Sequence, residues 1–239
     1  MTSPQRTAST RIAVLASGGG SNLDAILAHL DGRGAVRGGD VVLVASDRAT
    51  AGALAKAAAR SIPTSHLVNP ADGAALDALL RDHDIDLVVL AGYLKLVPPA
   101  VTRRFHGRMI NVHPALLPAF GGAGMYGLRA HRAVLDAGAR ISGASVHFVD
   151  DTYDRGPLIA QWPVPVAVDD TPESLAARVL VVEHVLYPRC VDAVASGRVR
   201  LDASGRTVGL HPLPTHDTLQ FGDAAGLTTS IDTLLAGDS

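Results

Sequence analysis

The chain has 239 residues, of which 47% are hydrophobic and 18% are charged, and its formal net charge is -2 at pH 7. This composition is typical of a globular protein, and the small net charge excludes a global basic field for nucleic acid. The single cysteine, Cys190, excludes a disulfide framework and a cysteine-based metal site. We expect a cytoplasmic protein without a membrane partner, because the start of the chain lacks a signal-peptide core and no run of about 18 apolar residues occurs.

Short apolar strands alternate with helical segments over the first half of the chain. Strands are predicted at 11–16, 40–46, 62–68, 85–92 and 107–112, and helices at 21–30, 49–60, 71–84 and 98–105. Ser21 or Asn22 is the predicted N-cap of the first helix. Strands that alternate with helices indicate right-handed βαβ units, so the predicted fold class is α/β, a doubly wound and mostly parallel sheet.

The second half of the chain has a different pattern. The β-rich segments 141–151 and 156–168 have no helix between them, which predicts an antiparallel pair or a local mixed sheet. A long helix is predicted over 171–197, with Thr171 as its cap and Pro172 in its first turn. Cys190 lies in this apolar helix and is predicted to be a buried, unreactive thiol.

A closing hairpin is predicted over 198–210, and no linker or internal repeat divides the chain. The predicted organisation is a flexible tail over 1–10, a single catalytic domain over 11–210, and an extension of unknown role over 211–239.

Residues 15–23, LASGGGSNL, form a glycine-rich turn between the first strand and the first helix. Backbone amides and the positive helix end converge there, which favours binding of one phosphate group, with a plain tight turn as the alternative. Gly18 and Gly20 also fit a dinucleotide fingerprint, but Leu23 occupies its third glycine position. Asp47 could serve as the ribose-binding acid, which keeps that interpretation open. No Gly-Lys-Ser/Thr sequence is present, so a Walker loop is excluded.

Asn111 and His113 lie at the end of a predicted strand. Residues two apart in a strand point the same way, and the carboxyl edge of a parallel sheet is where ligands bind. An amide and an imidazolium could both donate to the oxyanion of an acyl-transfer intermediate, although a satisfied turn is the alternative. Asp154 is the favoured carboxylate partner because a glycine follows closely, and Asp150 and Asp151 are weaker candidates.

The remaining histidines carry less information. His131 and His147 are predicted to be packing or supporting residues, and the others to be solvated or structural. No spacing of His, Asp and Glu resembles a metal site.

Four segments together resemble one family, the glycinamide ribonucleotide formyltransferases of purine biosynthesis. They are VLASGGGSNLDAIL (14–27), the stretch from LVVLAGYLKLV to NVHPALLPAF (87–120), SGASVHFVDDTYDRGPLIAQWPVPV (142–166) and ARVLVVEHVLYP (177–188), in the family's order. The resemblance implies a Rossmann-like formyltransferase fold. It also implies transfer of the formyl group of 10-formyltetrahydrofolate, a co-substrate, to the amine of glycinamide ribonucleotide, without a tightly bound cofactor.

The same resemblance assigns Asn111, His113 and Asp154 as catalytic residues and implies no metal. Asn111 and protonated His113 would stabilise the oxyanion, and Asp154 would orient and charge His113 and help to carry a proton. The implied ribonucleotide-binding residues are Gly20, Ser21, Asn22, Leu23, Asp24 and Glu183. The implied folate-binding residues are Leu94, Lys95, Leu96, Val97, Asn111, Asp150, Asp151, Thr152, Tyr153 and Asp154. The expected partners are these two small molecules, with the chain as a monomer or homodimer.

Two features depart from the family pattern. The loop over 120–128 is longer and richer in glycine, which could reshape the folate entrance. The region of the third helix also lacks the cation that in the family meets the folate's glutamate tail, and Lys95 and Arg81 are the candidate substitutes.

Other activities remain as alternatives. Formyltetrahydrofolate hydrolases and methionyl-tRNA formyltransferases share the N-x-H-P motif. The former usually carry an N-terminal regulatory domain, and the latter have a longer C-terminal domain and lack the glycine-rich turn. From other classes, a nicotinamide-dependent oxidoreductase and a non-catalytic ligand-binding domain also remain.

Overall fold

The computed structural model describes residues 9–210 together with Thr228, Ile231, Asp232 and Leu235. The predicted C-terminal extension therefore lies almost entirely outside the described residues, as does most of the predicted N-terminal tail. Thr10 is an exception, because it begins the first strand and its hydroxyl donates to the carbonyl of Ala195 at 2.7 Å. No helix in the described part of the chain is long and apolar enough to span a bilayer.

Nine strands and six helices are present in the described residues. The strands are β1 (Thr10–Leu15), β2 (Gly39–Ser46), β3 (Thr64–His66), β4 (Leu87–Leu90), β5 (Met109–His113), β6 (Ile141–Phe148), β7 (Leu158–Pro165), β8 (Arg200–Leu201) and β9 (Thr207–Val208). The helices are α1 (Ser21–Arg33), α2 (Gly52–Ala59), α3 (Gly73–Asp82), α4 (Pro99–Arg104), α5 (Leu128–Asp136) and α6 (Pro172–Ala195). A short 3₁₀ turn over Gly34–Val36 follows α1.

Seven strands form one sheet in the order β3-β2-β1-β4-β5-β6-β7. The first five strands run parallel, whereas β6 and β7 pair antiparallel at one edge, which confirms the predicted α/β class and its mixed second half. Strands β8 and β9 form the predicted small hairpin.

The central strands are apolar on both faces because helices cover both sides of the sheet. On β1, Ile12 and Val14 pack into the core shared with α1, α5 and α6, whereas Ala13 and Leu15 pack towards α3 and α4. Alternate residues therefore serve opposite layers, as the pleat requires. Cys190 is fully buried in α6, as predicted, and burial raises the pKa of its thiol.

The helix ends agree only in part with the predictions. Thr171 caps α6 as predicted, and its side chain and that of Ser174 satisfy each other's backbone amides. Neither Ser21 nor Asn22 caps α1, however, because Gly20 occupies that position in a left-handed conformation with φ of 76°. Helix α5 was not predicted, since the glycine-rich segment 121–127 that precedes it reads as a loop.

Helix α6 contacts the neighbouring strands β4 and β5 through one buried tyrosine. The hydroxyl of Tyr187 lies 3.0 Å from the carbonyl oxygen of Leu90 and 3.1 Å from that of Ile110. Tyr187 is fully buried, so water cannot replace its hydroxyl as the donor to these two carbonyls.

Replacing Tyr187 by Phe should therefore lower the free energy of unfolding by about 1 kcal/mol, the typical cost of a lost buried hydrogen bond. Urea denaturation followed by circular dichroism would measure the loss. The matched control is Tyr126→Phe, in which an exposed tyrosine changes and no loss is expected. Equal stability of the two variants would contradict this role of Tyr187.

Candidate active site

A cavity of about 460 Å³ opens at the carboxyl edge of the parallel strands, a size suited to a small organic ligand. Its walls come from the ends of β4 and β5, the loops that follow β4, β5 and β6, and helices α5 and α6. The polar residues lining it include Asn111, His113, His147, Asp154 and Glu183. The sheet edge predicted to bind ligands is thus the edge that carries the cavity.

The structure brings Asn111, His113 and Asp154 together, as the strand period and the resemblance predicted. One carboxylate oxygen of Asp154, Oδ2, lies 3.4 Å from Nδ1 of His113. Its other oxygen, Oδ1, accepts from the amide nitrogen of Asn111 at 3.5 Å. His113 and Asp154 have 3% and 9% of their side-chain surface exposed, so their interaction takes place largely out of water.

A sharp turn after β6 directs Asp154 into the site. Asp154 adopts a left-handed backbone with φ of 55°, a conformation that Asp tolerates better than most residues. Two residues later, a Cβ on Gly156 would lie 1.8 Å from the carbonyl oxygen of Phe148, so only glycine fits there. The glycine that marked Asp154 in the sequence therefore has a steric role in the turn.

His147 also belongs to this cluster, although it was predicted to be a packing or supporting residue. It pairs with Asn111 across β5 and β6, and its Nε2 lies 3.2 Å from the amide nitrogen of Asn111 and 3.6 Å from Asp154. Its Nδ1 donates to the carbonyl of Phe148 at 2.7 Å, which fixes the ring. The signal in the sequence was its place in a strand, but the pairing register with β5 was needed to interpret it.

The two members of the His113–Asp154 pair have shifted pKa values. Burial raises the pKa of Asp154, but His147, the charge of His113 and the amide of Gly122 outweigh it, so the pKa lies below its ordinary value. For His113 burial dominates and lowers the pKa, against the opposing effect of Asp154 and the carbonyl of Phe120. In the free protein burial therefore outweighs the attraction of Asp154, which opposes the fall of the His113 pKa without reversing it.

The start of the long loop contacts this pair directly. The Nε2 atom of His113 lies 2.8 Å from the carbonyl oxygen of Phe120, which can only accept, so Nε2 carries the proton. The amide of Gly122 donates to Asp154 Oδ2 at 2.8 Å. Between them, a Cβ on Gly121 would lie 2.4 Å from Leu117 and 3.1 Å from the Cβ of Asp154. The glycines of this loop thus allow its backbone to approach the catalytic candidates.

The predicted ribonucleotide-binding residues occupy the first turn of α1 and the middle of α6. Among them only Asn22 and Glu183 line the cavity, and the Asn22 amide donates to a Glu183 carboxylate oxygen at 2.8 Å. Burial raises the pKa of Glu183, and the Asn22 hydrogen bond only partly opposes this. The Oδ1 atom of Asn22 is buried and has no partner among the described residues.

The other predicted ribonucleotide residues contribute in different ways. Gly20 and exposed Ser21 form the turn into α1, whereas the side chain of Leu23 is fully buried in the core. Asp24 is engaged within the protein, because its amide donates to Gly20 and its carboxylate pairs with Lys56. Buried Leu23 in place of the third glycine also removes the basis of the dinucleotide interpretation.

Most of the predicted folate-binding residues line the cavity. They are Leu94, Lys95, Leu96, Val97, Asp150, Thr152, Tyr153 and Asp154. The amide of Leu94 donates to the hydroxyl of Ser17 at 2.9 Å, which anchors this segment. Asp151 is the exception, since its carboxylate is turned away to Thr102 and Arg103 and does not line the cavity. Of the two candidate cations, Lys95 lines the cavity, whereas Arg81 pairs with Asp77 at 2.8 Å.

The chain belongs to the formyl transferase family, whose profile matches residues 10–191. It is 43% identical over 202 residues to the chloroplastic phosphoribosylglycinamide formyltransferase of Arabidopsis thaliana, covering 82% of this chain and 68% of the relative. It is 37% identical over 213 residues to the phosphoribosylglycinamide formyltransferase of Escherichia coli K12, covering 85% of this chain and 95% of that relative. Glycinamide ribonucleotide transformylase 1 from Symbiobacterium toebii has a similar crystal structure, with a TM-score of 0.77, 38% identity, and 87% and 97% of the two chains covered.

Replacing Asp154 by Asn should lower the pKa of His113 further, because the carboxylate favours the imidazolium form and an amide does not. Titration of the histidine ring signals by NMR would measure this pKa. Asp150→Asn is the control, because Asp150 lies nearby in the same loop but makes no contact with His113. An unchanged or higher pKa of His113 in the Asp154 variant would show that the two groups do not interact as described.

Proposed function

We infer that the chain is a formyl-transferring enzyme of purine biosynthesis that uses 10-formyltetrahydrofolate to formylate glycinamide ribonucleotide. The convergence of Asn111, His113 and Asp154 in one cavity carries this conclusion. It occurs in a chain that is 37% to 43% identical to phosphoribosylglycinamide formyltransferases over most of its length.

The reaction needs no enzyme nucleophile, because the amine of the ribonucleotide can attack the formyl carbon itself. The new carbon–nitrogen bond forms as the formyl oxygen becomes an oxyanion, and the bond from the carbon to N10 of the folate then breaks. The amine loses one proton and N10 gains one, so the transfer balances. Asp154, ionised and next to His113, helps to carry that proton between the two nitrogens.

Asn111 stabilises the oxyanion by a hydrogen bond and His113 by its positive charge, since the two ring nitrogens of His113 already face Phe120 and Asp154. The amide of Asn111 donates without any change of charge, whereas His113 is mostly neutral in the free protein because burial lowers its pKa. A negative oxygen that develops beside the ring raises that pKa again, so the ring can take up the proton that the attacking amine loses and release it when N10 is protonated. The positive charge on His113 therefore arises together with the negative charge on the formyl oxygen, and the Asp154 carboxylate is its counter-ion.

The two substrates occupy opposite ends of the cavity. The turn at Gly20, Ser21 and Asn22 holds the phosphate with backbone amides at the start of α1, and Glu183 binds the sugar. The folate lies along Leu94–Val97 and the loop that ends in Asp154. Lys95 is the cation that meets its glutamate tail, because Arg81 already has a carboxylate partner.

Direct attack requires no tightly bound cofactor and no metal. A cytoplasmic location, and a monomeric or homodimeric state, stay predictions from the sequence.

The deciding experiment is a folate-release assay with 10-formyltetrahydrofolate, with and without glycinamide ribonucleotide. Release should require the ribonucleotide and yield formylated product in equal amount. Release without the ribonucleotide would instead identify a hydrolase, and no release under either condition would refute the proposal. Tight binding of a nicotinamide cofactor would favour the oxidoreductase alternative.

In the same assay, Asp154→Asn and His113→Ala should each lower kcat by roughly 10²- to 10⁴-fold, the range for loss of a proton-transferring group. The KM values for both substrates should change much less, because the variants remove interactions with the transition state. Asp31→Asn is the control and should retain near-normal kcat, since its carboxylate is 70% exposed, pairs with Arg60 and does not line this cavity. Near-normal kcat of the Asp154 variant would reject its role.

A further inference from the structure

His131 is a cavity-lining side chain to which the mechanism assigns no part. It lies in the first turns of α5, the helix that the sequence did not predict, and only 3% of its surface is exposed. Its Nδ1 atom is buried and has no hydrogen-bond partner among the residues that the structure describes. A buried polar atom without a partner costs free energy, so a purely structural role is a poor explanation of this histidine.

The environment of His131 favours one neutral tautomer. Burial and the nearby His113 both lower the pKa of His131, so the neutral form of its ring is favoured. An unpartnered acceptor is tolerated in protein interiors better than an unpartnered N–H. Nδ1 is therefore the unprotonated nitrogen, and the proton sits on Nε2. Because Nδ1 is buried, Nε2 is the ring nitrogen that can donate a hydrogen bond to a ligand in the cavity.

The position of α5 determines which substrate this donor meets. Helix α5 packs against α6 on the sheet face that also carries α1. The α6 wall of the cavity is otherwise apolar at Ala176, Ala177 and Leu180, up to Glu183. The folate segments over 94–97 and 150–154 come from the loops after β4 and β6 instead. His131 thus lies near His113 on the ribonucleotide side.

We propose that His131 is a substrate-binding residue whose Nε2–H donates to the carbonyl oxygen of the glycinamide group and so holds the neighbouring amine for attack. This proposal rests on the proposed function, since it names a contact with that function's amine substrate. A ribonucleotide bound at α1 must extend past Glu183 to bring its amine to Asn111 and His113. The carbonyl next to that amine then lies where His131 is the available neutral donor.

His131→Leu tests this contact, because leucine fills a similar volume without a donor. The KM for glycinamide ribonucleotide should rise roughly tenfold, as expected for one hydrogen bond to a neutral group, with little change in the KM for the folate. The melting temperature should stay equal or rise, because the buried unpartnered nitrogen is gone. His131→Gln, whose amide can donate from a similar position, should recover most of the affinity. His66→Leu, at an exposed position in β3, is the matched control.

A second measurement uses the unaltered protein, so it does not depend on how the variants fold. A ribonucleotide analogue with a methylene in place of the glycinamide carbonyl should bind roughly tenfold more weakly to the wild type. His131→Leu should bind analogue and substrate equally, because the two changes remove the same contact.

Equal affinity of the wild type for analogue and substrate would overturn the proposal, as would an unchanged ribonucleotide KM in a folded His131→Leu protein. A lower kcat with an equal rise in both KM values and a lower melting temperature would mark His131 as structural and also overturn it. In each case turnover by the wild type shows that the proposed function itself stands, whereas an inactive wild type would refute that function instead.

Discussion

The carboxylate of Asp154 is the group on which the geometry of the site depends. It is nearly buried, and it interacts with the ring of His113, the amide of Asn111 and the backbone amide of Gly122. These three contacts come from β5 and from the loop that follows it, so one charged group joins segments that are distant in sequence. A buried carboxylate is stable only with such partners, and therefore the same contacts that form the site also permit the burial.

Burial has opposite effects on the pKa values of Asp154 and His113. It raises the pKa of Asp154, but the hydrogen bonds of that carboxylate and the neighbouring histidines lower it by more. It lowers the pKa of His113, and the attraction of Asp154 and the hydrogen bond to Phe120 do not compensate for this. The free protein thus holds an ionised carboxylate beside a mostly neutral imidazole. That arrangement suits the proposed reaction, in which negative charge appears only in the intermediate and the imidazole would gain its proton as the oxyanion forms.

The glycine-rich loop and α5 together form one wall of the site. Close backbone approach at Gly121 and Gly122 brings the chain against Asp154, and the loop then leads into α5, which places His131 near His113. The loop that departs in length from the family pattern is therefore part of the candidate site. It contacts Asp154 directly and, through α5, places His131 at the cavity.

The sequence by itself determined the alternation of strands and helices, the parallel class of the sheet, the cap at Thr171 and the shared direction of Asn111 and His113. These follow from local periodicity and backbone preference, which act over a few residues. A nearby glycine marked Asp154 as the favoured carboxylate, and the resemblance assigned it a catalytic role with which the distances in the cavity are compatible. Only the tertiary structure decided that His147 joins the cluster, that Asp151 turns away from it, that His113 is mostly neutral in the free protein, and that α5 brings His131 to the cavity. Strand register, burial and desolvation depend on contacts between distant segments, and no local pattern in the sequence encodes them.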